Sequence, residues 1–128
     1  MIYNKDTAVQ LNPAGGIPTI TVRANCATSD TEIDLQSADR QSWKAIATVP
    51  QNTAVRLNDG TVNSGGDLKG RQAEWLIGLA ITDMNDPHDV GLAVVIKQDG
   101  NELAGSIHDS LDLGTSKSCV AYGYVTFQ

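Results

Sequence analysis

Apolar residues recur at every second position over several stretches of this chain, the spacing expected of strands that bury one face. Thr19-Ile-Thr-Val-Arg-Ala24 alternates cleanly, and Cys26 continues its apolar phase. Ser118-Cys-Val-Ala-Tyr-Gly-Tyr-Val-Thr-Phe127 does the same, with Cys119, Ala121, Gly123, Val125 and Phe127 on one side and Tyr122 and Tyr124 on the other. Shorter strands are predicted at Glu32–Leu35, Trp43–Val49 and Thr53–Leu57. Between Gln72 and Asp83 the apolar run Trp75-Leu-Ile-Gly-Leu-Ala-Ile81 fits a strand or a helix; its length, two isoleucines and central Gly78 favour the strand. Ser37–Ser42 is expected to form one helical turn capped by Ser37.

Turn residues join these segments. Asp99-Gly100 between Val90–Gln98 and Asn101–Asp109 is the strongest short-range hairpin signal in the chain. With that pair in the turn, Gln98 faces Asn101, Lys97 faces Glu102, Ile96 faces Leu103, Leu92 faces Ile107 and Gly91 faces His108. Apolar pairs then share one face, with the charged pair on the other. The same register draws His88-Asp89 and His108-Asp109 together at the open end. A second pair, Asp59-Gly60, predicts another hairpin with Leu57 opposite Val62, and Asn63–Gly70 reads as a loop. About eight or nine short strands with such punctuation predict an all-β fold. A single antiparallel β-sandwich domain over residues 1–128, jelly-roll or Greek-key like, is expected.

Nine Lys and Arg against fifteen Asp and Glu leave a formal net charge of −6, and the basic residues occur singly. Nucleic acid is excluded as a partner, because that interaction relies on clustered positive charge. No apolar run approaches the ~20 residues of a membrane-spanning helix. Met1-Ile-Tyr-Asn-Lys-Asp6 carries no visible signal-peptide pattern, so a cytoplasmic or released protein is expected.

Candidate chemistry is sparse. Asp83, Asn85, Asp86 and Asp89 in the turn before Val90 offer the oxygen ligands that calcium prefers, although Pro87 and the missing turn glycine rule out an EF-hand. His88, Asp89, His108 and Asp109 supply the ligand types of a zinc site if the hairpin brings them together. His108-Asp109-Ser110 contains triad residue types, but adjacent residues cannot converge as nucleophile, base and orienter. Cys26 and Cys119, both on apolar phases, are a candidate disulfide if the strands that carry them are neighbours; closing so long a loop stabilises by about 4 kcal/mol.

Binding surfaces are the better supported destination. Tyr122 and Tyr124 present neighbouring rings suited to stacking on a sugar or anchoring an interface, and Asn85 and Asp86 place polar groups in an end loop. Trp43 and Trp75 are assigned to the core or its edge. The Asp/Asn-rich turns and Val49-Pro-Gln-Asn-Thr53 share a general manner with small calcium-dependent sugar-binding sandwiches, but the dense Asp/Asn run of that group is missing and no family is assigned. The expected function is a non-enzymatic binding module, with carbohydrate as the first ligand class and a homo-oligomer as the expected assembly. The alternative is a self-assembling structural subunit of a phage, virion or appendage. A metal-dependent enzyme using calcium or zinc at the two His-Asp pairs is the third reading.

Overall fold

The structure, a computed structural model, describes residues 1–82 and 89–128. In chain order the strands are β1 (Ile2–Asn4), β2 (Thr7–Val9), β3 (Thr19–Ala24), β4 (Ala27–Thr28), β5 (Thr31–Gln36), β6 (Trp43–Val49), β7 (Val55–Arg56), β8 (Gln72–Ala80), β9 (Asp89–Gln98), β10 (Asn101–Glu102), β11 (Ile107–Asp112) and β12 (Ser118–Phe127). They form two sheets. The seven-stranded sheet runs β1-β12-β8-β5-β6, with β2 also on β12 and β4 also on β8. The five-stranded sheet runs β10-β9-β3-β7, with β11 also on β9.

The all-β sandwich expected from the alternation is therefore present, and its inner faces are the apolar phases of the strands. Trp75 and Ile77 of β8, Phe127 of β12 and Ile33 of β5 face Ile20 of β3 and Leu92 and Ile96 of β9 in one core cluster. Each such side chain contributes roughly 1.5–3 kcal/mol on burial. Gln72–Ala80 is a strand, as its composition favoured.

Pairing is antiparallel except at one edge, where β1 and β2 both run parallel to β12. Lys5 and Asp6 join them by passing over Gly123: a Cβ at that position would lie 1.8 Å from the Lys5 carbonyl oxygen. Two more hydrogen bonds fix the crossing, Lys5 N–H to the Tyr122 carbonyl and Tyr124 N–H to the Asp6 carboxylate.

Several expectations are corrected. The Asp59-Gly60 turn exists, with Gly60 at φ 100° and its N–H donating to Asn58 Oδ1, but it closes no hairpin. Trp43–Val49 pairs back onto β5, whereas Val55–Arg56 crosses to β3 in the other sheet. Leu57 and Val62 are instead buried in the core from irregular backbone. Ser37–Ser42 is the tight loop of the β5–β6 hairpin rather than a helical turn, closed by Ser37 N–H to the Ser42 carbonyl and Arg40 N–H to the Ser37 carbonyl.

The principal hairpin begins in the expected register and then departs from it. Asp99 and Gly100 both have positive φ, the geometry of a type I′ turn. Gln98 pairs with Asn101 and Lys97 with Glu102. Beyond them Leu103–Ser106 turns on itself, with Ser106 N–H donating to the Leu103 carbonyl and the Ser106 hydroxyl accepting from Ile96 N–H. Ile107 consequently faces Val94 rather than Leu92, and His108 faces Ala93 rather than Gly91. Four residues stand opposite two, so the slip is even and the side-chain phase survives. Ile107 and Leu111 still point inward.

Cys26 and Cys119 are free thiols. Cys26 directly precedes β4, and β8 lies between β4 and β12. Strands spaced by ~4.8 Å put the two cysteine backbones about 10 Å apart. A disulfide needs Cα atoms within about 7 Å.

Candidate functional site

The outer face of the seven-stranded sheet carries a cluster of aromatic, carboxylate and amide side chains. Tyr124 of β12 stands beside Glu74 of β8, which stands beside Asp34 of β5. One step along, Tyr122 neighbours Leu76, which neighbours Glu32. Trp43 opens β6 opposite Gln36, at the outer edge of the sheet, where no further strand lies beside β6 among the described residues. Its ring centroid lies 5.6 Å from that of Tyr124, with the planes tilted by 53°. Trp43 is 42% exposed.

Polar groups around the rings are held in place by one another. Gln72 Nε2 donates to Thr126 Oγ1 at 3.0 Å, and the Gln72 backbone N–H donates to Gln36 Oε1 at 3.0 Å. The neighbouring Glu74 carboxylate, as a hydrogen-bond acceptor first and then as a charge, pushes the Tyr124 phenol upward from its ordinary pKa. Asp34 and Glu74 are like charges directly opposite on one face, an arrangement that costs stability in a sheet. The face thus combines one exposed ring, Trp43, and the half-buried Tyr124 ring with carboxylates and amides at their rims.

Tyr122 and Tyr124 are half-buried on this outer face, as the alternation predicted. Trp75 is fully buried, in agreement with its assignment to the core. Trp43 is not core, and it is the aromatic residue that alternation alone misplaces. Trp43-Lys-Ala-Ile-Ala-Thr-Val49 carries a register shift opposite Ile33 and Asp34, and the bulge turns the N-terminal half of β6 so that Trp43 faces solvent. An aromatic residue placed immediately after a Ser/Asp/Gln-rich turn was the available signal.

The metal constellation does not assemble from the residues described. Asp89 pairs with Asp112, whereas Asp109 pairs with Leu92, three residues along β9 and about 10 Å away. His108 Nε2 is bonded to Glu102 at 3.0 Å. Asp109 points to the opposite side of β11, where it accepts from the Tyr3 hydroxyl and lies 3.5 Å from Lys5 Nζ. His88, Asn85 and Asp86 lie outside the described residues. Among the described residues no group of three or more His, Cys, Asp or Glu side chains is placed to hold a metal ion.

No protein-family model, curated protein or solved structure matches the chain.

Proposed function

We propose that this protein is a non-enzymatic binding module that takes a carbohydrate on the outer face of its seven-stranded sheet. The observation that carries the reading is the Trp43–Tyr124 pair: a large aromatic ring left 42% exposed and held against a second ring. Apolar C–H faces of a sugar ring stack on such surfaces, and the aromatic rings present large area at low entropic cost. Asp34 and Glu74 accept hydrogen bonds from the hydroxyls of a ring seated there, and the Gln72 amide at the rim fixes its orientation.

The test is a titration of intrinsic fluorescence. Trp75 is buried, so Trp43 is the tryptophan whose emission a surface ligand changes. Glycans that score on an array of neutral and charged sugars should shift or quench that emission saturably. Trp43→Ala and Tyr124→Ala should each weaken binding at least tenfold without loss of fold. An array silent throughout, or binding indifferent to both substitutions, overturns the reading.

A second reading, a self-assembling structural subunit, is favoured by one observation. Ile2 is 72% exposed and sits directly beside Val120, itself 47% exposed, on the paired β1 and β12. A closed oligomer by light scattering that dissociates on Ile2→Ser and Val120→Ser substitution supports it; a monomer at working concentrations removes it.

A further inference from the structure

The outer face of the five-stranded sheet holds a separate polar trough. Its floor is the middle of β9, where Gly91 and Ala93 face outward and leave a groove one strand wide. Arg23 of β3 and His108 of β11 flank Ala93, and Asn25 and Ser110 flank Gly91. These residues line a cleft of about 490 Å³. The flanking strands lie two strand spacings apart, about 10 Å, which is room for one small planar group or ring between them.

The groups facing the trough are donors. Asn25 Oδ1 is already used, accepting from the Gly91 N–H at 2.7 Å, which leaves the NH₂ as the part of the amide that can donate to a ligand. Arg23 is exposed, and its guanidinium forms no hydrogen bond or ion pair among the described residues. Ser110 presents a hydroxyl. His108 is held by Glu102 and forms a wall. The neighbouring carboxylate of Asp109 is turned away to Tyr3 and Lys5 on the opposite side of β11.

We propose that this trough is a binding site for a carboxylate-bearing small ligand, gripped by the Arg23 guanidinium with Asn25 Nδ2 and the Ser110 hydroxyl as further donors. A planar guanidinium matches a carboxylate two bonds to two. A single guanidinium suits a monoanion. The next outward positions along the trough, Asp89 and Asp112, are acidic and paired with each other, which disfavours a phosphate dianion. The site is on the opposite sheet from the Trp43–Tyr124 face and stands or falls separately from it.

Glucuronate, acetate, glucose and inorganic phosphate are the probes, read by amide chemical shifts of the intact protein. Glucuronate and acetate should move the Gly91 and Ala93 amides saturably, and glucose should not. Arg23→Gln, at an exposed position with no partner among the described residues, should weaken the response at least tenfold. Gly91→Ala is the second variant: its methyl meets only the Asn25 side chain at 3.9 Å, ordinary contact, so the fold is kept while the floor is raised and affinity falls. No response to either carboxylate at tens of millimolar overturns the proposal, as does a response that survives Arg23→Gln. Tighter binding of phosphate than of acetate overturns the choice of carboxylate.

Discussion

The Tyr3 hydroxyl donates to the Asp109 carboxylate across the open edge of the sandwich, linking β1 of one sheet to β11 of the other. Thr7 Oγ1 donates to the Gly105 carbonyl at 2.6 Å along the same seam, so the edge is closed by side chains rather than by strand pairing. A hydrogen bond to a charged acceptor is worth about 1.5–3 kcal/mol, less where water competes. Tyr3→Phe should therefore cost about 1–2 kcal/mol in denaturant unfolding. Burial first, then the bond to Asp109, pushes the Tyr3 phenol well above its ordinary value. An acid whose folded pKa is raised keeps its full contribution below the unfolded pKa, near ~10, and loses it as the unfolded chain ionises above that. Stability should fall above pH ~10, and the fall should be shallower in Tyr3→Phe. An identical alkaline profile in both proteins contradicts this role.

Two glycines in the β9–β11 hairpin separate backbone strain from steric contact. Gly100 has φ 81° with open space for 4 Å around the position a methyl would take, whereas Gly105 has φ 98° and its Cβ would sit 2.1 Å from the Ala8 carbonyl oxygen. Positive φ alone costs an alanine about 1–2 kcal/mol. Gly100→Ala should lose about that much. Gly105→Ala should lose at least ~1 kcal/mol more, because the clash with β2 adds overpacking strain. Equal losses in thermal melts would show that the seam at Gly105 is looser than described.

The same hairpin shows how far the sequence could be read. Asp99-Gly100 specified the turn and the first two cross-strand pairs, because turn chemistry is local. The slip at Leu103–Ser106 was hidden because Gly105 answers to a distant partner, the edge formed by Thr7 and Ala8, and an even shift leaves the apolar alternation of Ile107 and Leu111 unchanged. The core was legible for a related reason: burial acts on each strand's own phase, as at Trp75 and Phe127. Strand partners were not, since Val55 and Trp43 follow one another closely in sequence yet lie in different sheets. The outer-face site was half legible. Tyr122 and Tyr124 followed from alternation, while Trp43 required the bulge in β6 that no local pattern announces.

Cys26 and Cys119 give a chemical check on the topology. Both thiols are pushed above their ordinary range, in each case by burial first, so both should alkylate slowly in the folded protein. Cys26 is half-buried and Cys119 only 3% exposed, so Cys26 should react first. Under denaturing conditions without reductant, two thiols per chain should titrate, and reductant should leave the melting temperature unchanged. A mass two hydrogen atoms lighter than the reduced chain would contradict the placement of β8 between them.

Arg71 and Asp59 form the most buried ion pair in the described structure, with side chains 4% and 7% exposed and 3.4 Å between Nη1 and Oδ2. Thr61 completes the cluster: its hydroxyl donates to Asp59 Oδ1 at 2.5 Å and lies 3.1 Å from both terminal nitrogens of Arg71. Burial pushes the Asp59 carboxyl up, but the Thr61 hydroxyl and backbone N–H, followed by the Arg71 charge, outweigh it and hold the carboxyl below its ordinary value. A depressed carboxyl contributes stability that is present above the unfolded pKa, ~3.9, and lost as pH falls through the folded value. Removing one member of a buried pair strands the other, typically at about 3–5 kcal/mol. Arg71→Met should cost about that at pH 7, and the penalty should shrink as pH falls, because Asp59 without the Arg71 charge takes up its proton at higher pH than in the parent protein. Urea unfolding of the two proteins at pH 7, 5 and 3 measures the difference directly. A penalty constant across that range would mean that Arg71 acts through packing of its stem and not through Asp59.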